Sequence, residues 1–128
     1  MQSLLFSFQG RMNRAKFWLI HIVMWAVVAV VLGAVVGSAA MSLSADPQAA
    51  LASVGVVGGL VLLVVYILAI WIGLAIAAKR WHDRNKSAWW ILIVIVPVVG
   101  ALWYLIECGF LPGTTGPNKY GADPLSAI

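Results

Sequence analysis

Charge is what this sequence has least of. Only 9% of its 128 residues are charged, against roughly 25% in ordinary soluble domains. With 63% of the chain hydrophobic, a soluble fold of this length could not hide its apolar surface. Cysteine is nearly absent. The single Cys108 excludes an internal disulfide and any metal site built on cysteine pairs, and reads as a buried apolar filler. There is no nucleotide-binding loop, zinc signature or nucleophile elbow. No soluble basic face is present to hold nucleic acid. These absences lower the case for an enzyme, and no metal or cofactor is expected.

The few charges are concentrated. Seven of the eight basic residues fall in two short segments, Arg11 to Lys16 and Lys79 to Lys86. Such clusters beside apolar runs set membrane topology. The chain therefore reads as one all-α, polytopic membrane domain over 1–128, with three hydrophobic segments at about 17–41, 51–78 and 88–111. The first, about 25 residues long, exceeds the roughly 7–15 of a secretory h-region and reads as an uncleaved span. Residues 1–10 carry Leu4, Leu5, Phe6 and Phe8 without charge, and are expected at the membrane interface. Residues 42–50, with Asp46 and Pro47, read as a short outer turn. The basic loop 79–87 lies in the cytoplasm by the positive-inside rule, as does the N-terminus. The expected location is the bacterial plasma (inner) membrane, multi-pass, with the lipid bilayer as first partner.

The third run contains Pro97 and Gly100 near its middle. It can cross as a single kinked helix, its freed carbonyl covered by neighbours. That is the preferred reading; the alternative is a re-entrant hairpin turning at Pro97–Gly100, with arms too short to span. The choice decides the side on which the Pro- and Gly-rich tail, 112–128, emerges. That tail reads either as an ordered surface loop or as a loose end.

Small residues recur at intervals of four: Ala29, Gly33 and Gly37 in the first run, then Gly55 and Gly59, and Ala69, Gly73 and Ala77 in the second. Such stripes let helices approach closely in lipid. Gly33–Gly37 and Gly55–Gly59 are expected to face each other, or else to make a contact with a second copy or another membrane protein.

Three candidate groupings carry chemistry. Arg80, Trp81, Arg84, Lys86, Trp89 and Trp90 mix cations with indoles at the inner surface, a composition suited to anionic phospholipid headgroups. Arg11, Arg14, His82, Asp83, Glu107, Asn118 and Tyr120 form a candidate polar cluster, provided that the tail is cytoplasmic. His82 and Asp83 are the raw material of a general-base pair, but helix neighbours point about 100° apart. A local ion pair of Asp83 with Arg80 or Arg84 is the plainer reading. Glu107, the only acid inside an apolar run, is a functional candidate by its position. His21 lies one turn into the first run, and no ligand spacing makes a metal site of it with His82 and Glu107.

Three blocks together resemble one family. They are Gly10-Arg11, Arg14 and Phe17-Trp18; then Lys79-Arg80-Trp81-His82-Asp83 with Lys86-Ser87-Ala88-Trp89-Trp90; then Leu111-Pro112-Gly113-Thr114, Gly116-Pro117-Asn118-Lys119-Tyr120-Gly121 and Asp123-Pro124. This pattern is similar to the bacterial inner-membrane "domain of unknown function 805" family. Trp81 takes the apolar place before His-Asp, and Ala88 stands where the family more often has Gly. The resemblance implies a bacterial plasma-membrane protein and brings no biochemical activity. The expected role is therefore non-enzymatic, through assembly or headgroup contact at the cytoplasmic face. The alternatives are a small oligomeric transporter or channel, weakened by the lack of a polar stripe on any span, and a membrane enzyme using His82, Asp83 and Glu107.

Overall fold

The computed structural model describes residues 2–126, except for the side chains of Gln2, Ser53 and Val54. The tail's last two residues, Ala127 and Ile128, and Met1 at the start lie outside the described residues. The order is α1 (Gln2–Leu5), α2 (Arg14–Ala45), α3 (Pro47–Asp83), a 3-10 helix (Ala88–Ile95), α4 (Val99–Tyr104) and a π-helical turn (Leu105–Phe110). No strand occurs among the described residues. The fold is all-α with three apolar segments.

α2 and α3 are long because nothing in them interrupts an apolar helix. Their 32 and 37 residues correspond to about 48 and 55 Å at 1.5 Å per residue, beyond a bilayer core of about 30 Å. Each start is capped by its own sequence. The Asn13 side chain accepts from the Lys16 amide at 2.9 Å. The Asp46 carboxylate accepts from the Gln48 and Ala49 amides at 3.1 and 3.2 Å, with Pro47 in the first helical position where a missing N–H costs nothing. The turn expected over 42–50 is thus reduced to Asp46: α2 continues to Ala45 and α3 begins at Pro47.

The described chain divides into two compact units. One is Ile22–Ile70, made only of α2 and α3. Its covered positions recur at threes and fours: Met24, Val28, Val31, Val35 and Ala39 on α2, and Gly58, Leu62, Val65 and Ala69 on α3. An apolar groove of about 380 Å³ runs between Val35, Ala39 and Leu43 on one side and Gly55, Gly59 and Leu62 on the other. Gly33 and Gly37 are exposed, and a Cβ added at Gly33, Gly37, Gly55 or Gly59 would meet nothing within 4 Å. The expected face-to-face meeting of the two glycine pairs does not occur within the described chain. Valines and Ala39, not Gly33 and Gly37, occupy the covered stripe of α2.

The other unit joins the residues up to His21 with those from Trp71 onward. Its core is Met12, Phe17, Ile76, Trp81 and Cys108. α3 ends at Asp83; Asn85 takes a left-handed conformation (φ 60°) and the Lys86 amide turns back to the Trp81 carbonyl at 2.8 Å, as helix C-termini commonly do. The Ser87 side chain then caps the 3-10 helix.

The third apolar run does not continue straight. After Ile95 it turns through Val96–Val98, with Val98 at φ 63°. It returns as α4, close enough that a Cβ on Gly100 would collide with the Ile93 carbonyl oxygen. Trp90 and Trp103, on opposite arms, stack with centroids 6.3 Å apart. The single kinked helix is excluded and the hairpin obtains. Glycine at 100 is what lets the two backbones meet.

Candidate functional site

The return of the third run builds a polar centre at the C-terminal end of α3. Arg80 is completely buried and spends its guanidinium on a carboxylate and several carbonyls. Its Nη1 donates to Asp83 Oδ2 at 2.6 Å and to the Met12 carbonyl at 3.1 Å. Its Nε donates to the Cys108 carbonyl, and Nη2 to the Leu111 carbonyl at 2.9 Å. The Cys108 and Leu111 carbonyls lie in the π-helical turn and just beyond it, where the helical ladder is disturbed. Arginine alone offers five donors in one rigid plane, so one side chain ties the N-terminal segment, α3 and the returning arm together.

Arg11 repeats the design towards the tail. Its Nε donates to Asp83 Oδ1 at 3.0 Å, Nη1 to the Gly116 carbonyl at 2.7 Å and Nη2 to the Thr114 carbonyl at 2.5 Å. Gly116 sits at φ 78°, a left-handed conformation that glycine adopts without cost. Asp83, sandwiched between two guanidiniums, is covered by Gly113, where a Cβ would overlap the carboxylate. The Thr114 amide donates to the Asp83 carbonyl at 2.7 Å.

His82 and Asp83 do not pair with each other. His82 Nδ1 donates to the Gly10 carbonyl at 3.0 Å, and its ring stacks on Tyr120 at 3.9 Å and 8°. The Asn118 side chain donates to the His82 carbonyl at 2.9 Å. Of the two local partners expected for Asp83, Arg80 is the one found. As far as Ser126 the tail is an ordered loop, closed on itself by reciprocal Asn118–Gly121 backbone bonds. In the same loop, amides of Leu125 and Gly116 hold the Asp123 carboxyl below its ordinary range.

Glu107 forms a second cluster. Lys86 pairs with Oε1, Arg84 lies 3.5 Å from the same oxygen, and the Trp103 indole donates to Oε2 at 2.5 Å. Lys86 also sits over the Trp90 ring, 4.5 Å from its centroid. Beside this cluster an apolar groove of about 470 Å³ opens along the returning arm. Arg14 lies apart, donating to the Phe110 carbonyl at 2.7 Å, next to Trp18, which donates to the Gly109 carbonyl at 2.8 Å.

Of the expected headgroup residues, Arg80 and Trp81 are fully buried. They hold the fold and cannot touch lipid. Arg84 and Lys86 keep partly exposed side chains, and Trp89 and Trp90 are exposed. His21 is turned to the Phe17 carbonyl of its own helix. Among the described residues no group of three His, Cys, Asp or Glu could hold a metal ion. Sequence reasoning missed Lys79, which is buried and caps the Ser3 and Leu4 carbonyls of α1. It missed Trp103, Gly109 and Gly113 as well. Gly113 had a visible signal, its place in a turn-forming Pro-Gly-Thr block; the others had none.

Two long apolar helices, an apolar hairpin and a polar centre at the end of α3 define an all-α membrane protein. The chain belongs to the family described as "Protein of unknown function (DUF805)", which it matches over residues 5–122. It is 29% identical to Inner membrane protein YhaI of Escherichia coli K12 over 120 residues, covering 92% of this chain and 86% of that one. It is 30% identical to the uncharacterised protein YiiR of the same organism, covering 95% and 88%. With Inner membrane protein YhaH it shares 40% over 50 residues, 39% of this chain and 40% of that one. No solved structure matches.

Proposed function

We infer that this is a non-enzymatic inner-membrane protein with two spans, both of whose terminal segments lie in the cytoplasm, and that it acts by contact with phospholipid headgroups of the inner leaflet. The observation that carries the reading is the ion pair of Glu107 with Lys86: the third run comes back to the residues it left from. Neither arm is long enough to cross, since eight 3-10 residues rise about 16 Å against a core of about 30 Å. Both basic clusters belong on the cytoplasmic side by the positive-inside rule, and Arg11 and His82 are bonded to the tail. The inner-membrane relatives agree with this location. The engagement of His82, Asp83 and Glu107 by carbonyl, guanidinium, ammonium and indole partners weighs against a catalytic use of them.

The test is the side of the membrane that carries the tail. A single cysteine at Ser126, with Cys108→Ala, is treated in intact cells with an impermeant thiol reagent. Protection until the cells are broken open is expected. Labelling in intact cells would put the tail outside and overturn the reading.

A further inference from the structure

The groove beside Glu107 has a chemistry of its own. One wall is the returning arm, presenting Val99, Leu102 and Ile106 at helical spacing, and Leu111 follows at the end where Arg84 donates to the Pro112 carbonyl. Arg84, Lys86 and Glu107 stand at the groove's polar end. Its volume of about 470 Å³ falls within the roughly 300–1,000 Å³ of ligand pockets. An apolar channel with cations at one end matches an acyl chain joined to a phosphate.

The charges select among phospholipids. Two cations and one carboxylate leave the polar end at +1, which one phosphodiester neutralises. The carboxylate is not free to hold anything else. Glu107 is 4% exposed; Oε1 faces Lys86 and Arg84, and Oε2 takes the Trp103 indole. Buried under these partners, the carboxylate presents almost no surface to the ammonium of a zwitterionic headgroup. Arg84 Nη1 also donates to the Pro112 carbonyl at 2.7 Å, which holds its guanidinium at the groove while leaving other N–H groups for phosphate.

We propose that this groove binds one anionic glycerophospholipid of the inner leaflet, with its phosphodiester on Arg84 and Lys86 and an acyl chain along Val99, Leu102 and Ile106. The site rests on the cytoplasmic placement of the hairpin inferred above. It adds to that placement a bound lipid of defined charge. Indole stacking steadies the site, because Trp103, one of its lining residues, holds the two arms of the hairpin together through Trp90.

The test uses the full-length protein in detergent, offered phosphatidylglycerol or phosphatidylethanolamine of equal chain length, with retained lipid read by native mass spectrometry. Wild type is expected to keep phosphatidylglycerol about fivefold better, the scale set by one net positive charge near anionic lipid. The double variant Arg84→Gln/Lys86→Gln should retain the two lipids equally. It strips Glu107 of its partners, so Leu102→Trp serves as a second variant that fills the groove and leaves every ion pair intact; it should lose both lipids. Equal retention of the two lipids by wild type, or undiminished retention by Leu102→Trp, would overturn the proposal. Because the experiment contains no bilayer sides, its failure is distinct from a failure of the cysteine labelling.

Discussion

The two units of this protein are made partly of the same two helices, yet they are held by opposite means. In Ile22–Ile70 there is no charged side chain except Asp46, and the outward faces of α2 and α3 are mostly Val, Leu, Ile and Ala, with Trp25, Met41 and Tyr66 among them. Lipid is as apolar as these side chains, so burying them supplies little force between helices, and packing alone remains. In the other unit, Lys79, Arg80, His82, Asp83 and Glu107 are all buried. Away from water such groups are costly unless partnered, and each has a partner. The apolar unit tolerates many neighbours, whereas the polar unit accepts one arrangement. The position of the hairpin and the tail is therefore specified by hydrogen bonds to Arg80 and Arg11.

The comparison can be broken most sharply at Arg80. Arg80→Met removes the donors to three segments and leaves Asp83 and several buried carbonyls short of partners. A loss of about 3–5 kcal/mol is expected, seen as a large fall in thermal midpoint in detergent and in protein abundance. Gly113→Ala probes the same centre through packing alone. Its Cβ would push into the Asp83 carboxylate, and about 1–3 kcal/mol is expected, together with earlier proteolysis of the tail. The smallest effect belongs to the apolar unit. Gly33→Leu adds a side chain where nothing lies within 4 Å, and the thermal midpoint should move by less than about 0.5 kcal/mol equivalent. A loss as large as that of Arg80→Met would show that the glycine surface is a contact on which the fold depends.

Much of this division was legible in the sequence. Apolar length and the scarcity of charge give α2 and α3 directly, and the three polar blocks contain nearly every residue of the polar centre. Other features were not. Backbone carbonyls carry no residue identity, so the donors Arg11 and Arg80 were visible while their Met12, Cys108, Thr114 and Gly116 acceptors were not. Pro97 and Gly100 suit a kink as well as a reversal; the reversal depends on the approach of Gly100 to Ile93 and on the long-range pair of Glu107 with Lys86. Spacing by four placed Gly33 and Gly37 on one helix face, but periodicity says which residues share a face and not whether that face is covered. Trp81 looked like an interfacial indole because it sits among cations, yet it is fully buried between Trp90 and Tyr104, and its Nε1 lacks a partner among the described residues. Its polar neighbour is the Lys86 ammonium, 5.7 Å from the ring centroid.

The grip of Arg11 on the Gly116 carbonyl joins residues 105 positions apart. A ribosome makes the arginine long before the glycine. While α2 and α3 are entering the membrane, Arg11 and Asp83 have no tail to hold, and Asp83 has no Gly113 lid. The polar centre can close only after residue 116 has emerged, so the capture of the tail by Arg11 follows the synthesis of both membrane helices. A truncated or stalled product would keep its membrane helices and expose an open pair of charges, a chemical mark by which quality control could tell an unfinished chain from a complete one.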